Sequence, residues 1–308
     1  MAIHERIYQR LAVRPDKPAP RPMATLGRVL GQHAMRGWRT RLLFYGAFVP
    51  GLVFALIIYF LTRNEERVLG LARQFALTEI NSFEDVDSEI WYRCGANLVY
   101  LLLGHVQVWF ALLLTAMVGA PLVSEDLRTQ AAEVYLARPM APRDYVAGKA
   151  WVIAQRLFVV LALPTILVLA LGNLLIPASF VASLPLYLVV VAFSALVATS
   201  NALLMLGVSA LTRSARYATA IWFLIYFVSW IVSEVLVGST DNTVFEFCSW
   251  RTNQHIVLSE MLQLEPLHEE LLDLPSIEHS MLPSLLILIG CAALASWTVL
   301  RRMQPRKV

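Results

Sequence analysis

Six apolar runs divide the chain, at about 42–61, 97–119, 157–177, 185–211, 219–238 and 283–300. A bilayer core of about 30 Å needs about 20 such residues per helix, so each run predicts a transmembrane helix. The polar intervals between them carry patterns of their own. Residues 1–22 hold "RPDKPAPRP", which reads as a flexible lead-in. From Met23 to Arg41 the apolar positions Leu26, Val29, Leu30 and Met35 fall on one helical face with Arg28, Arg36 and Arg39 off it, predicting an amphipathic helix in the membrane interface before the first span. Between the fifth and sixth runs, "TNQHIVLSEMLQL" and "EPLHEELLDL" have helical spacing and predict two short outer helices. The expected fold is all-α, a single six-span domain over 23–305.

The interval Leu122–Trp151, "LVSEDLRTQAAEVYLARPMAPRDYVAGKAW", is more ordered than a linker requires. Ser124 is placed as an N-cap with Glu125 and Asp126 in the first turn, where the helix dipole favours negative charge. Leu127, Ala131 and Val134 then share a face until Pro139 stops the helix. Asp144 is placed to cap a second helix through Tyr145, Val146 and Lys149 into the third span. The segment reads as helix, proline elbow, short helix.

Composition supports a bilayer: 58% of the 308 residues are hydrophobic, 15% are charged and mean hydropathy is +0.62, too apolar for an ordinary soluble domain. The first run follows a basic stretch too long for a cleavable signal and is read as a retained span. Charge then sets orientation. The head, the 120–156 segment, the 212–217 turn and the tail hold 20 of the 25 Lys and Arg, whereas 62–96 and 239–282 hold fifteen of the 22 acidic residues. By the positive-inside rule both termini and the elbow face the cytoplasm. Topology accounts for the basic excess, so no nucleic-acid partner is implied, although the head suits anionic lipid. Cys94 and Cys248 both fall in outer segments, where an oxidising compartment would permit a disulfide; Cys291 lies in the last span. No metal-ligand spacing is present, and "HEELL" at 268–272 lacks the second histidine of a zinc-protease helix.

With these residues in place, the chain resembles the permease subunits of type-2 ABC exporters. That family carries a pattern like E-x-L-L-x-x-P-x-S-R-x-E-x-x-x-G-K after its second span. Glu133, Leu136, Pro139, Asp144, Gly148 and Lys149 match in register, with Glu125 at the upstream acidic position. Gln130-Ala131 stands where the family has Gly-Thr, and Arg143 lies one place after the family's arginine. The resemblance implies that Glu125, Glu133, Leu136, Pro139, Arg143, Asp144 and Lys149 form a coupling segment docking on a separate cytosolic ABC ATPase. It further implies a second permease copy or a related permease as partner, and a setting in the bacterial inner (plasma) membrane. ATP and Mg would be bound by the ATPase and no cofactor by this chain, which has no G-x-x-x-x-G-K-[ST] phosphate loop.

Ionisable and polar groups within spans often mark pathways, which makes His105, Gln107, Asn201 and Glu234 the candidates here. They support a rival reading, a proton-coupled transporter using Glu234 and His105. A membrane-embedded enzyme is a weaker rival, because no nucleophile-base pair, metal cluster or carboxylate pair at common depth can be placed. The largely apolar spans lean toward a hydrophobic or amphipathic cargo.

Overall fold

The structure, a computed structural model, describes residues 37–61, 63, 70, 88–130, 141–175, 180–240, 242–264 and 281–303. The expected lead-in, residues 23–36 of the interfacial helix, the Glu133, Leu136 and Pro139 positions and the second outer helix lie outside these residues.

Among the described residues every regular element is helical. In chain order they are α1 (Trp38–Gly46), α2 (Val49–Leu61), α3 (Ser88–Val99), α4 (Val108–Arg128), α5 (Pro142–Leu175), α6 (Phe180–Leu211), α7 (Ala215–Phe223), α8 (Ser229–Thr240), α9 (Trp250–Met261) and α10 (Met281–Met303). A π-helical stretch, Tyr100–Gln107, joins α3 to α4, a second, Leu224–Val228, joins α7 to α8, and a 3-10 turn, Thr243–Cys248, precedes α9. Six continuous helical segments are long and apolar enough to cross a membrane: Trp38–Phe60, Tyr92–Thr129, Pro142–Leu175, Ser183–Leu211, Ala215–Thr240 and Met281–Met303. They are spans 1 to 6 below, and the chain is an integral, multi-pass membrane protein.

Local sequence explains the irregularities. Span 1 breaks at Ala47–Phe48 because Pro50 has no N–H to give the Gly46 carbonyl and its ring crowds that carbonyl. Spans 2 and 3 run well past their apolar cores toward the elbow, so the elbow's arms are continuations of the spans themselves. The expected cap at Ser124 is therefore corrected. Ser124 lies inside α4, and its hydroxyl donates back to the Ala120 carbonyl at 2.7 Å. Span 3 starts at Pro142, whose fixed φ and absent N–H suit a first helical position, with the Ala141 carbonyl accepting from the Asp144 N–H at 2.9 Å. Asp144 thus sits in the first turn, not at the cap.

Span 4 is central, packed on spans 2, 3 and 6. Its approach to span 6 depends on Gly207: a Cβ there would lie 2.6 Å from the Ala295 Cβ and 2.9 Å from its Cα, so any side chain would push the helices apart. Span 1 meets span 3 in the same way, with Gly51 set against Pro164. Span 5 is tied to span 2 by the buried Trp222, whose Nε1 donates to the Leu112 carbonyl at 3.1 Å.

Candidate functional site: the elbow clamp and the far-end cavity

The elbow end of the bundle is organised around a buried lysine. Lys149 is 1% exposed, and its ammonium donates both to Asp126 Oδ2 and to the Leu122 carbonyl. Tyr145, also fully buried and one turn earlier on α5, donates its hydroxyl to the same Asp126 oxygen at 2.7 Å, while the ammonium lies 4.7 Å from the centre of its ring. Asp126 is on the last turn of α4 and the other two are on the first turns of α5. One carboxylate therefore joins the two arms through an ion pair and a phenol bond, and the cation–π contact holds its two partners together within α5. A charge this buried persists only when paired and hydrogen-bonded, as this one is.

Just above it, span 2 has a weak point. Pro121 interrupts the α4 ladder, and Ser209 of span 4 inserts there: its Oγ accepts from the N–H groups of Val123 (3.2 Å) and Ser124 (2.9 Å) and donates to the Ala120 carbonyl at 2.7 Å. A side chain entering the ladder beside a proline is a physical cause of helix bending. Beyond the clamp, Arg128 pairs with Glu125 at 3.3 Å on the exposed surface, a contact worth little by itself. α4 ends at Arg128 with Thr129 as its C-cap, followed by Gln130 with φ of 57°. Of the described coupling positions, Glu125 and Arg143 face outward and Asp144 is half-buried. Lys149 is the exception: expected on the contact surface, it is turned inward by its bond to Asp126.

At the opposite end, α9 folds back among the spans instead of lying over them. Ser249 caps it, accepting the Thr252 N–H at 3.1 Å. Asn201 of span 4 receives two donors from this region, Trp250 Nε1 at 2.9 Å and Gln254 Nε2 at 3.0 Å, both on its buried Oδ1. Trp250 is thereby an interior residue, although an indole near a span end ordinarily suits the membrane interface. Gly104, within the first π-helical stretch, leaves room for Leu258 and His255 of α9.

The infolded helix closes a cavity of about 120 Å³ against spans 2 and 5. Tyr100, His105, Trp230, Glu234, Glu246 and Arg251 are among its walls, with His255 completing the polar side. The imidazoles of His105 and His255 have centroids 4.8 Å apart, each near the Tyr100 ring. Arg251 lies over two indoles, 5.0 Å from the centre of Trp109 and 4.5 Å from that of Trp230. Trp109 in turn stacks on Phe227 of the second π-helical stretch at 5.7 Å. Such stretches recur at functional sites because they re-aim side chains off the regular helical face.

The four pathway candidates separate. His105 and Glu234 line the same cavity, the latter accepting from Trp230 Nε1 at 3.0 Å. Gln107 and Asn201 instead bond within the scaffold, Gln107 Nε2 donating to the Ala47 carbonyl at the span 1 break at 3.0 Å. The disulfide that the sequence permits is not formed in this structure, where Cys94 and Cys248 are free thiols. Sequence reasoning missed Asp126 as the common partner of Tyr145 and Lys149, since no local pattern joins positions about 20 residues apart. It also missed Arg251, although one basic residue standing alone in the acidic 239–282 segment was a usable signal.

A six-span helical protein whose second and third spans extend into a clamped elbow, with a helix folded back before the sixth, is a membrane transport subunit in architecture. Residues 41–300 match the family described as ABC-2 family transporter protein, and the chain belongs to that family. It is accordingly a permease subunit of an ABC transporter, a family that works with an ABC ATPase and whose usual setting is the bacterial inner membrane. No curated protein matches the chain.

Proposed function

We propose that this chain forms the membrane path of an ATP-driven exporter and is moved by a separate cytosolic ATPase that seats on the 122–151 elbow. The observation that carries the reading is the elbow itself: its arms are rigid extensions of spans 2 and 3, tied by a buried ion pair, which is what a handle needs and a passive loop does not. The Lys and Arg distribution supports a cytosolic elbow. ATP and Mg belong to the partner, since this sequence has no phosphate loop. Spans 1 and 5 are the least enclosed and offer apolar surface to lipid or to a second permease, identical or related. The cargo is hydrophobic or amphipathic, in keeping with the apolar spans.

Affinity purification of the detergent-solubilised chain from its native membranes tests this, comparing wild type with Glu133→Arg and Arg143→Glu. Recovery of a vanadate-sensitive ATPase with wild type, lost or uncoupled in the variants, is the expected result. Its absence in several mild detergents refutes the reading. A second reading, proton-coupled transport, is favoured by one observation, the meeting of His105 and Glu234 in one cavity. It requires transport that persists without ATP and is abolished by Glu234→Gln.

A further inference from the structure

The clamp and the hinge above it occur together, and their order along span 2 has a mechanical consequence. Asp126 is fixed to span 3 by Lys149 and Tyr145. Five residues earlier, Pro121 and the intruding Ser209 hydroxyl replace part of the helix's own hydrogen bonding. Force on the elbow meets a stiff joint first and a compliant one second. If the joint at Asp126 were loose, the two arms would splay and the force would be lost before reaching the membrane.

We infer that Lys149, with Asp126 and Tyr145, is a positioning device that makes the end of span 2 and the start of span 3 move as one lever about Pro121. The deep burial of Lys149 supports this, because a lysine serving only the ATPase surface has no reason to be enclosed. The bond to the Leu122 carbonyl supports it as well, since that carbonyl lies on the hinge-proximal side of Asp126 and extends the grip toward Pro121. Arg128 and Arg143 take no part in the clamp. Both are exposed, one on each arm, which makes them suitable reporters. The functional consequence rests on the reading that an ATPase pushes on this elbow.

The test has two arms on the full chain in lipid nanodiscs. In the first, Cys94, Cys248 and Cys291 are changed to Ser, spin labels are placed at Arg128→Cys and Arg143→Cys, and their separation is measured by pulsed electron resonance. Wild type should give one narrow distance. Lys149→Met should broaden the distribution at least twofold, and so should Lys149→Met with Asp126→Asn, which removes the orphaned charge and protects folding. Narrow distributions in both variants overturn the clamp.

In the second arm an environment-sensitive dye on the exposed Cys248, at the far end, reports motion when ATP and vanadate are added to the complex with its ATPase. Wild type should respond. The Lys149→Met complex should retain the ATPase and hydrolyse ATP while the dye response falls several-fold, a split that simple misfolding does not produce. A full response in that complex overturns the lever. If wild type recovers no ATPase, the coupling reading fails, and the distance measurement still decides the clamp.

Discussion

Replacing Asn201 by Ala and Trp250 by Phe, singly and together, decides whether Asn201 belongs to a transport path or holds α9 in place. Asn201 is 1% exposed, and its side-chain oxygen takes hydrogen bonds from Trp250 Nε1 and Gln254 Nε2. The Ala variant leaves two buried donors unsatisfied. In water-soluble proteins each orphan costs about 1–3 kcal/mol, but interhelical hydrogen bonds in membranes average about 0.6 kcal/mol and reach about 1.7. About 2 kcal/mol is therefore expected for Asn201→Ala, and about 1 kcal/mol for Trp250→Phe, which keeps the ring and loses the donor. The orphaned Gln254 amide is common to the single and the double variant that carry Asn201→Ala, and it cancels in the cycle. What remains is the Asn201–Trp250 bond, so the double variant should lose about 1 kcal/mol less than the sum of the singles. Reversible unfolding in mixed detergent micelles, followed by circular dichroism, measures the cycle. Additivity within about 0.5 kcal/mol refutes the reasoning, as would an Asn201→Ala protein that keeps its stability and loses only transport.

Three further outcomes follow from the packing and the cavity. Gly207→Ala should cost about 1–3 kcal/mol by forcing spans 4 and 6 apart. Adding Ala295→Gly should restore only part of it, because the Ala295 Cα remains 2.9 Å from the new methyl group; thermal melts in detergent read both. Arg251→Ala removes a cation from over two indoles, worth about 0.5–2 kcal/mol per contact, and Arg251→Lys should recover less than half, since an ammonium lacks the planar face that stacks; tryptophan fluorescence and stability together check this. Cys248 should react with a membrane-impermeant maleimide applied from outside intact cells, and non-reducing electrophoresis should show no internal bridge to Cys94; labelling from the cytosolic side alone would reverse the assigned orientation.

How much of this is legible in the sequence depends on the range of each interaction. Spans are written locally, as about 20 apolar residues in a row, and all six can be read that way. Their ends cannot, because the apolar run stops where the lipid does while the helix continues: span 2 reaches Thr129 and span 3 begins at Pro142. Ser124 followed by two acidic residues reads as a cap, yet the chain is already helical there and the hydroxyl turns back to Ala120. His105 and Glu234 are legible as costly intramembrane groups, but the cavity joining them is not, because it exists only when α9 folds inward. That inward fold is encoded by Asn201, about 50 residues before its donors, and by the absence of a side chain at Gly104. Trp250 shows the same limit: an indole near a span end suits an interface, and only a distant acceptor makes it an interior residue.

The two candidate sites share one element. The helical segment Tyr92–Thr129 carries Tyr100 and His105 at the cavity and Asp126 at the clamp. At 1.5 Å per residue, His105 and Asp126 are separated by about 30 Å of continuous helix, roughly the thickness of the bilayer core. A rigid rod would carry any tilt at Asp126 directly to His105. This one is interrupted twice, by Pro121 near the elbow and by the π-helical stretch at the cavity. At the first interruption Ser209 of span 4 holds both sides of Pro121, the Ala120 carbonyl before it and the Val123 and Ser124 N–H groups after it, which makes span 4 the support on which the lever would turn. The second lies where α9 packs, so a rotation arriving there would alter the spacing of His105 and His255. Motion at the elbow and the shape of the cavity are then one coordinate of span 2, and a substitution at Pro121 should change both together.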